Sequence, residues 1–172
     1  MLKKIFKDRQ LIVVLLFALI VRLFFMWIYP DQNFPDAVAY KTIGQEIFSG
    51  QIITNNTYMP LYPIWSYLTG GGSIQILMDI FISVASVWLV FTLSLLLFEN
   101  RFSALLSAAI STLYPHFLFY SVSGLTEVFY TFLLLFSFFS VDLAFDPALA
   151  FELDLVIGLT LPLGIFWLIP CF

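Results

Sequence analysis

The sequence predicts an all-helical membrane protein with about four or five transmembrane helices and one long outer loop that carries a short surface helix. Three observations lead there. Hydrophobic residues make up 62% of the chain and charged residues 10%, against about 45–50% and about 25% in soluble domains. Mean hydropathy is +1.02. The apolar residues, 21 phenylalanines among them, come in long runs instead of one stripe per helix, the pattern that lipid on all sides selects.

The first span is expected from Leu11 to Tyr29, apolar except for Arg22. The bulky Trp27-Ile28-Tyr29-Pro30 stands where a signal peptide would have a small-residue cleavage site, so the segment reads as an anchor. From Asp31 to Ser73 the chain turns polar, with Pro30, Pro35, Pro60, Pro63 and Gly70-Gly71-Gly72 as breaks. Within it, Asp36 to Gly50 puts Tyr40, Ile43 and Ile47 on one face, starts with an aspartate cap and stops at glycine. This is the surface helix. Span two follows from Ile74 to Phe98, a tight turn at Glu99-Asn100-Arg101, span three from Phe102 to Tyr114 or Phe119, a link at Ser121 to Thr126, and span four to Val141. Leu155 to Phe172 is apolar again, broken by Pro162 and Pro170, and reads as a fifth span or a non-native end. No repeat or linker divides the chain, so residues 1–172 are read as one membrane domain.

Lys3, Lys4, Lys7 and Arg9 precede span one, whereas the long loop holds only Lys41. That asymmetry places the N-terminus in the cytoplasm. Alternating spans then put Asp36 and Glu127 on the same outer aqueous side of a multi-pass protein of the cell's inner (plasma) membrane. The net charge of -4 is spread thinly, and beyond the four basic residues that flank span one nothing basic or aromatic-basic suggests nucleic acid, which is set aside. Cys171 is the single cysteine, which leaves no disulfide framework or zinc motif.

Few residues combine chemistry with placement. Asp36 is either a helix cap or a carboxylate facing a cavity where a hydroxyl is deprotonated. Glu127, in Ser-Gly-Leu-Thr-Glu at the mouth of span four, is an interfacial glutamate or a functional one. Arg22 and Asp79 fall at matching depths, about 7–10 Å below the outer end by helical rise, and are expected to pair, or Arg22 to hold a lipid phosphate. The cluster Tyr58-Met-Pro60-Leu-Tyr62-Pro63-Ile-Trp65 supplies rings for an interfacial belt or for sugar and prenyl contact. His116 has no second histidine beside it, and the glycine run lacks the lysine of a phosphate loop.

Pro35-Asp36-Ala37 with Tyr40, Gly50, Tyr58-Met-Pro60-Leu-Tyr62-Pro63, Leu113-Tyr-Pro115 and Leu125-Thr-Glu127 together resemble the GT-C membrane glycosyltransferases. The likeness is greatest to relatives of the protein O-mannosyltransferases and aminoarabinose transferases, and covers about Leu11 to Phe139. It implies an enzyme that takes a sugar from a polyprenyl-phosphate donor at the outer face and passes it to a lipid, glycan or protein hydroxyl. By the same resemblance Asp36 is the catalytic base, Glu127 a second acidic group at the site, and Arg22, Tyr40, Tyr58 and Tyr62 substrate contacts. A divalent metal is compatible with it, but none is predicted. The family usually has many more spans, and residues 142–172 are acidic where lysine and arginine are expected, as a truncated or frameshifted N-terminal part would be. The competing reading is a non-catalytic membrane remnant or small partner protein.

Overall fold

The computed structural model describes residues 9–29, 34–50 and 60–145, with backbone alone over 142–145. These residues form seven helices: α1 (Arg9–Ile28), α2 (Pro35–Ser49), α3 (Leu61–Leu68), α4 (Gly72–Phe98), α5 (Arg101–Leu113), α6 (Pro115–Ser123) and α7 (Thr126–Phe145). The expected fifth span and Tyr58 lie outside the described residues.

Helix α4 is central and packs against α1, α5, α6 and α7. Its approach to α1 and α5 is set by small side chains. Ala104 and Ala108, one turn apart on α5, are fully buried with Ala18 of α1 against Val87 and Phe91 of α4. Where lipid removes any hydrophobic preference for helix over solvent, such small residues let backbones approach and gain dispersion contact. Hydroxyls on the same helices turn back on their own carbonyls, as Thr92 does to Trp88 and Thr112 to Ala108, which satisfies them without water. Around this core α1 is apolar on every side, with Val13, Ile20 and Trp27 more than 60% exposed.

Among the described residues two helices, α1 and α4, are long and apolar enough to cross a membrane, and a third span exists if α5 and α6 count as one. That is fewer than the four or five expected. The difference arises first at Pro115. It brings no N–H to the ladder and forces the preceding residue out of the helical region, so Tyr114 is extended (φ -63°, ψ 119°) and the axis bends by 53°. Alone, α5 has 13 residues, roughly 20 Å against a hydrocarbon core of roughly 30 Å. The apolar stretch of α7, Thr126–Val141, also falls below spanning length.

The turn between α4 and α5 is as tight as expected: Glu99 takes the left-handed region (φ 50°), and Asn100 caps α5 by accepting from Phe102 N (2.9 Å) and Ser103 N (3.4 Å). Among its described residues the long loop holds two helices where one was expected. The Tyr-Pro cluster forms α3, because Pro63 sits in a first turn that needs no N–H. Helix α2 stops at Gly50, as its sequence indicates, and packs its Tyr40–Gly44 side on α3. A Cβ on Gly44 would collide with the Pro63 carbonyl oxygen and lie 2.9 Å from Tyr67 Cβ. Gly44→Ala is therefore expected to destabilise the α2–α3 pair by about 1–3 kcal/mol, seen as faster proteolysis of residues 34–68 in detergent with the α4–α5 core unchanged. Between α3 and α4, Gly70, Gly71 and Gly72 all have positive φ (76°, 71° and 63°). Three consecutive left-handed residues are affordable only to glycine.

Candidate functional site

Helices α2 and α3, the start of α4 and the α6–α7 turn gather at one end of the bundle. Phe34, just before α2, meets Phe119 of α6 edge-on at 5.8 Å. A Cβ on Gly124 would touch Ala37 Cβ at 3.9 Å and Gln75 Nε2 at 4.0 Å. The start of α2 is thus held against the start of α7.

Asp36 is not the N-cap expected of it. Pro35 occupies the first helical position, Phe34 is the cap residue, and Asp36 lies inside the first turn, where its charge faces the positive end of the helix. Glu127 occupies the equivalent first turn of α7. Tyr40, one turn along α2 from Asp36, bridges the two: its side chain is hydrogen-bonded to Thr126 and lies in the field of both Asp36 and Glu127. Burial foremost, then the two carboxylates, raise the Tyr40 pKa above the ordinary phenol value, against the lowering pull of the Thr126 bond. Tyr40 therefore keeps its proton at neutral pH. Asp36, Tyr40 and Glu127, singled out in three separate stretches of sequence, form one cluster.

Beneath Tyr40 is a buried polar network. The Tyr62 ring meets Tyr40 edge-on at 5.0 Å, and its hydroxyl donates to Asp79 Oδ2 (2.8 Å) while accepting from Gln75 Nε2 (3.0 Å). Trp65 Nε1 donates to Asp79 Oδ1 (3.0 Å), and Ser66 Oγ to Gln75 Oε1 (2.9 Å). Burial, followed by the charge of Asp79, pushes the Tyr62 phenol far up. Tyr62 is fully buried; its ring, expected to meet substrate, forms the floor under Tyr40 instead. Phe129 of α7 closes the aromatic cluster, 5.5 Å from Trp65 and 6.1 Å from Tyr62.

Arg22 and Asp79 are both fully buried but do not pair. Arg22 Nε donates to Ser83 Oγ (2.8 Å) and Nη1 to the Ala18 carbonyl (3.1 Å), while Nη2 has no partner among the described residues. The matching depths hold to within one turn, since Ser83 follows Asp79 by four residues. What sequence could not show is that Tyr62 and Trp65 already occupy both carboxyl oxygens.

A cleft of about 310 Å³ opens where the α5–α6 bend leaves a gap beside α4 and α7. Ser83, Ser86, Tyr114, His116, Tyr120 and Glu127 are among its lining residues. The His116 ring stacks on Tyr120 (6.0 Å, 22°) and lies 5.4 Å from Tyr114. Sequence reading passed over Ser83, Ser86 and the His116 side; the signal was the Tyr-Pro-His break within an otherwise apolar segment. Glu127 belongs to both the cleft and the Tyr40 cluster. No three His, Cys, Asp or Glu among the described residues gather as a metal-holding group.

No family model, curated protein or solved structure matches this chain. The local geometry is therefore what bears on its chemistry.

Proposed function

We propose that the chain is a membrane glycosyltransferase that moves a sugar from a polyprenyl-phosphate donor to a hydroxyl of a lipid, glycan or protein at the outer face. The observation that supports this reading is the meeting of Asp36 and Glu127 around Tyr40, beside a cleft lined with hydroxyls and aromatic rings. In the proposed step Asp36 takes the proton of the acceptor hydroxyl as its oxygen attacks the anomeric carbon. The bond from that carbon to the phosphate oxygen breaks on the opposite side, so configuration inverts and polyprenyl phosphate leaves. Glu127 and the Tyr40 hydroxyl orient the acceptor. The resemblance adds Tyr58 as a further substrate contact.

Membranes that carry the protein should transfer label from a lipid-linked sugar and not from the matching nucleotide sugar. Transfer from the nucleotide sugar alone would sink the proposal. Its sidedness has a separate check: with Cys171 replaced by serine, Thr54→Cys should react with a membrane-impermeant thiol reagent added outside intact cells. Labelling only after the membrane is opened would reverse the orientation.

The reading as a non-catalytic partner protein has one observation in its favour. Val13, Phe102 and Leu106 leave an apolar groove of about 590 Å³ between α1 and α5, a surface of the kind that further helices cover.

A further inference from the structure

The cleft beside α4 and α7 has little to hold an anion with. On its α4 wall, Ser83 Oγ accepts from Arg22 Nε (2.8 Å), and Ser86 Oγ donates to the Ile82 carbonyl (3.0 Å). Arg22 is fully buried and is not among the residues that line the space, and no lysine or other arginine lines it.

What the cleft presents is a carboxylate and aromatic rings. Glu127 is exposed and has no hydrogen bond or ion pair with any described residue. A carboxylate at the border of a bilayer gains by finding a cation. Tyr114, His116, Phe117 and Tyr120, at the α5–α6 bend, line the same space. Phe117 stands edge-on to Tyr114 (5.4 Å, 87°), whereas Tyr120 stacks with His116 (6.0 Å, 22°), so the rings turn their faces in more than one direction. Ring faces are electron-rich and attract cations. The lining is therefore matched to positive charge.

We propose that the cleft recognises an ammonium group, and that the acceptor carries this charge beside its reacting hydroxyl, as an unacetylated amino sugar does. The ammonium pairs with Glu127 and lies against the rings. Arg22, behind Ser83, repels it from the α4 wall and keeps it on the Glu127 side. Because Glu127 belongs to both the cleft and the Tyr40 cluster, an acceptor held by its amine has its hydroxyl directed towards Asp36. At about 310 Å³ the space matches the low end of the about 300–1,000 Å³ of small-ligand sites. Recognition of the ammonium follows from the cleft alone; its place on the acceptor rests on the transferase reading.

The test uses the full chain purified in a nonionic polyoxyethylene detergent, with a tritiated alkyl glycoside of an amino sugar and its uncharged N-acetyl counterpart as probes, in a buffer that keeps the amine protonated and Glu127 ionised. A partly exposed ion pair and a cation on exposed rings each contribute about two- to fivefold, so wild type should bind the amine about tenfold more tightly than the N-acetyl form. Glu127→Gln, which changes an exposed side chain, should melt as wild type does, bind the N-acetyl form as before and lose most of the preference. Tyr120→Leu should lose a smaller part of it. Equal binding of the two probes by wild type, or a preference unchanged in Glu127→Gln, overturns the proposal. Short-chain phosphatidylethanolamine that displaces the amino glycoside at equal concentration would overturn the assignment to a glycan acceptor in favour of a lipid headgroup. Sugar transfer to the N-acetyl acceptor as fast as to the amine removes this proposal and leaves the transferase standing. A preference for the amine in binding, with no transfer to either acceptor, leaves the ammonium site standing and removes the transferase reading.

Discussion

Asp36→Asn should abolish sugar transfer while the protein inserts and melts as wild type does. Because Phe34 and Pro35 start α2, the Asp36 side chain is not needed as its N-cap. What asparagine removes is a negative charge in the first turn, where the helix dipole makes it worth about 0.3–1 kcal/mol. Loss of a general base costs about 10²–10⁴-fold in rate. The two consequences differ enough to separate: a fall of about a hundredfold or more in turnover, with unfolding shifted by no more than a few degrees. Glu127→Gln should lower the rate less, and Tyr40→Phe, which removes the hydroxyl shared with Thr126, should raise KM for acceptor more than it lowers kcat. If Asp36→Asn keeps near-normal turnover, its carboxylate serves only the helix start.

Asp79→Ala should release α3 from the bundle. The change leaves the Tyr62 hydroxyl and the Trp65 indole N–H without their acceptor, and each buried donor left unmet costs about 1–3 kcal/mol. With α3 loosened, α2 loses the Tyr62 ring against Tyr40 and the Pro63 backbone against Gly44, so Asp36 and Tyr40 lose their placement against the start of α7. The expected signs are early proteolysis between α2 and α4 and loss of transfer, while α1, α4 and α5 stay packed. Tyr62→Phe on its own should cost part of this, and the double variant Asp79→Ala, Tyr62→Phe should cost less than the sum of the two. Strict additivity would mean that the hydrogen bond does not hold α3 in place. Arg22→Leu, in contrast, should leave α3 docked, because Arg22 contacts Ser83 and not Asp79.

The long helices were legible because a bilayer-facing helix needs an uninterrupted apolar run, and Leu11 to Tyr29 and Ile74 to Phe98 provide one each. Segment 102–141 was harder to read. Hydropathy averages over the bend at Pro115, and only the extended Tyr114 backbone shows that one apolar run holds two helix directions. Asp36, Tyr40 and Glu127 could be chosen one by one from residue type and position, but their meeting depends on the α6–α7 turn at Gly124 packing on Ala37. The Arg22–Asp79 pair looked sound by depth and charge. It fails because donors on α3, a helix that the Tyr-Pro cluster did not announce, reach Asp79 first. Ser83 and Ser86 were illegible for a related reason: a serine in an apolar helix usually bonds its own backbone, as Ser86 does to Ile82, and nothing local marks Ser83 as the partner of a distant arginine.

The most direct measurement of the central claim is transfer in right-side-out membrane vesicles from cells that carry either the wild-type protein or Asp36→Asn, supplied with a labelled polyprenyl-phosphate sugar. The proposed site predicts labelled acceptor on the outer surface of wild-type vesicles and none above background with Asp36→Asn present at equal amount. Equal labelling in the two, or no labelling of wild-type vesicles with any lipid-linked sugar, would contradict it.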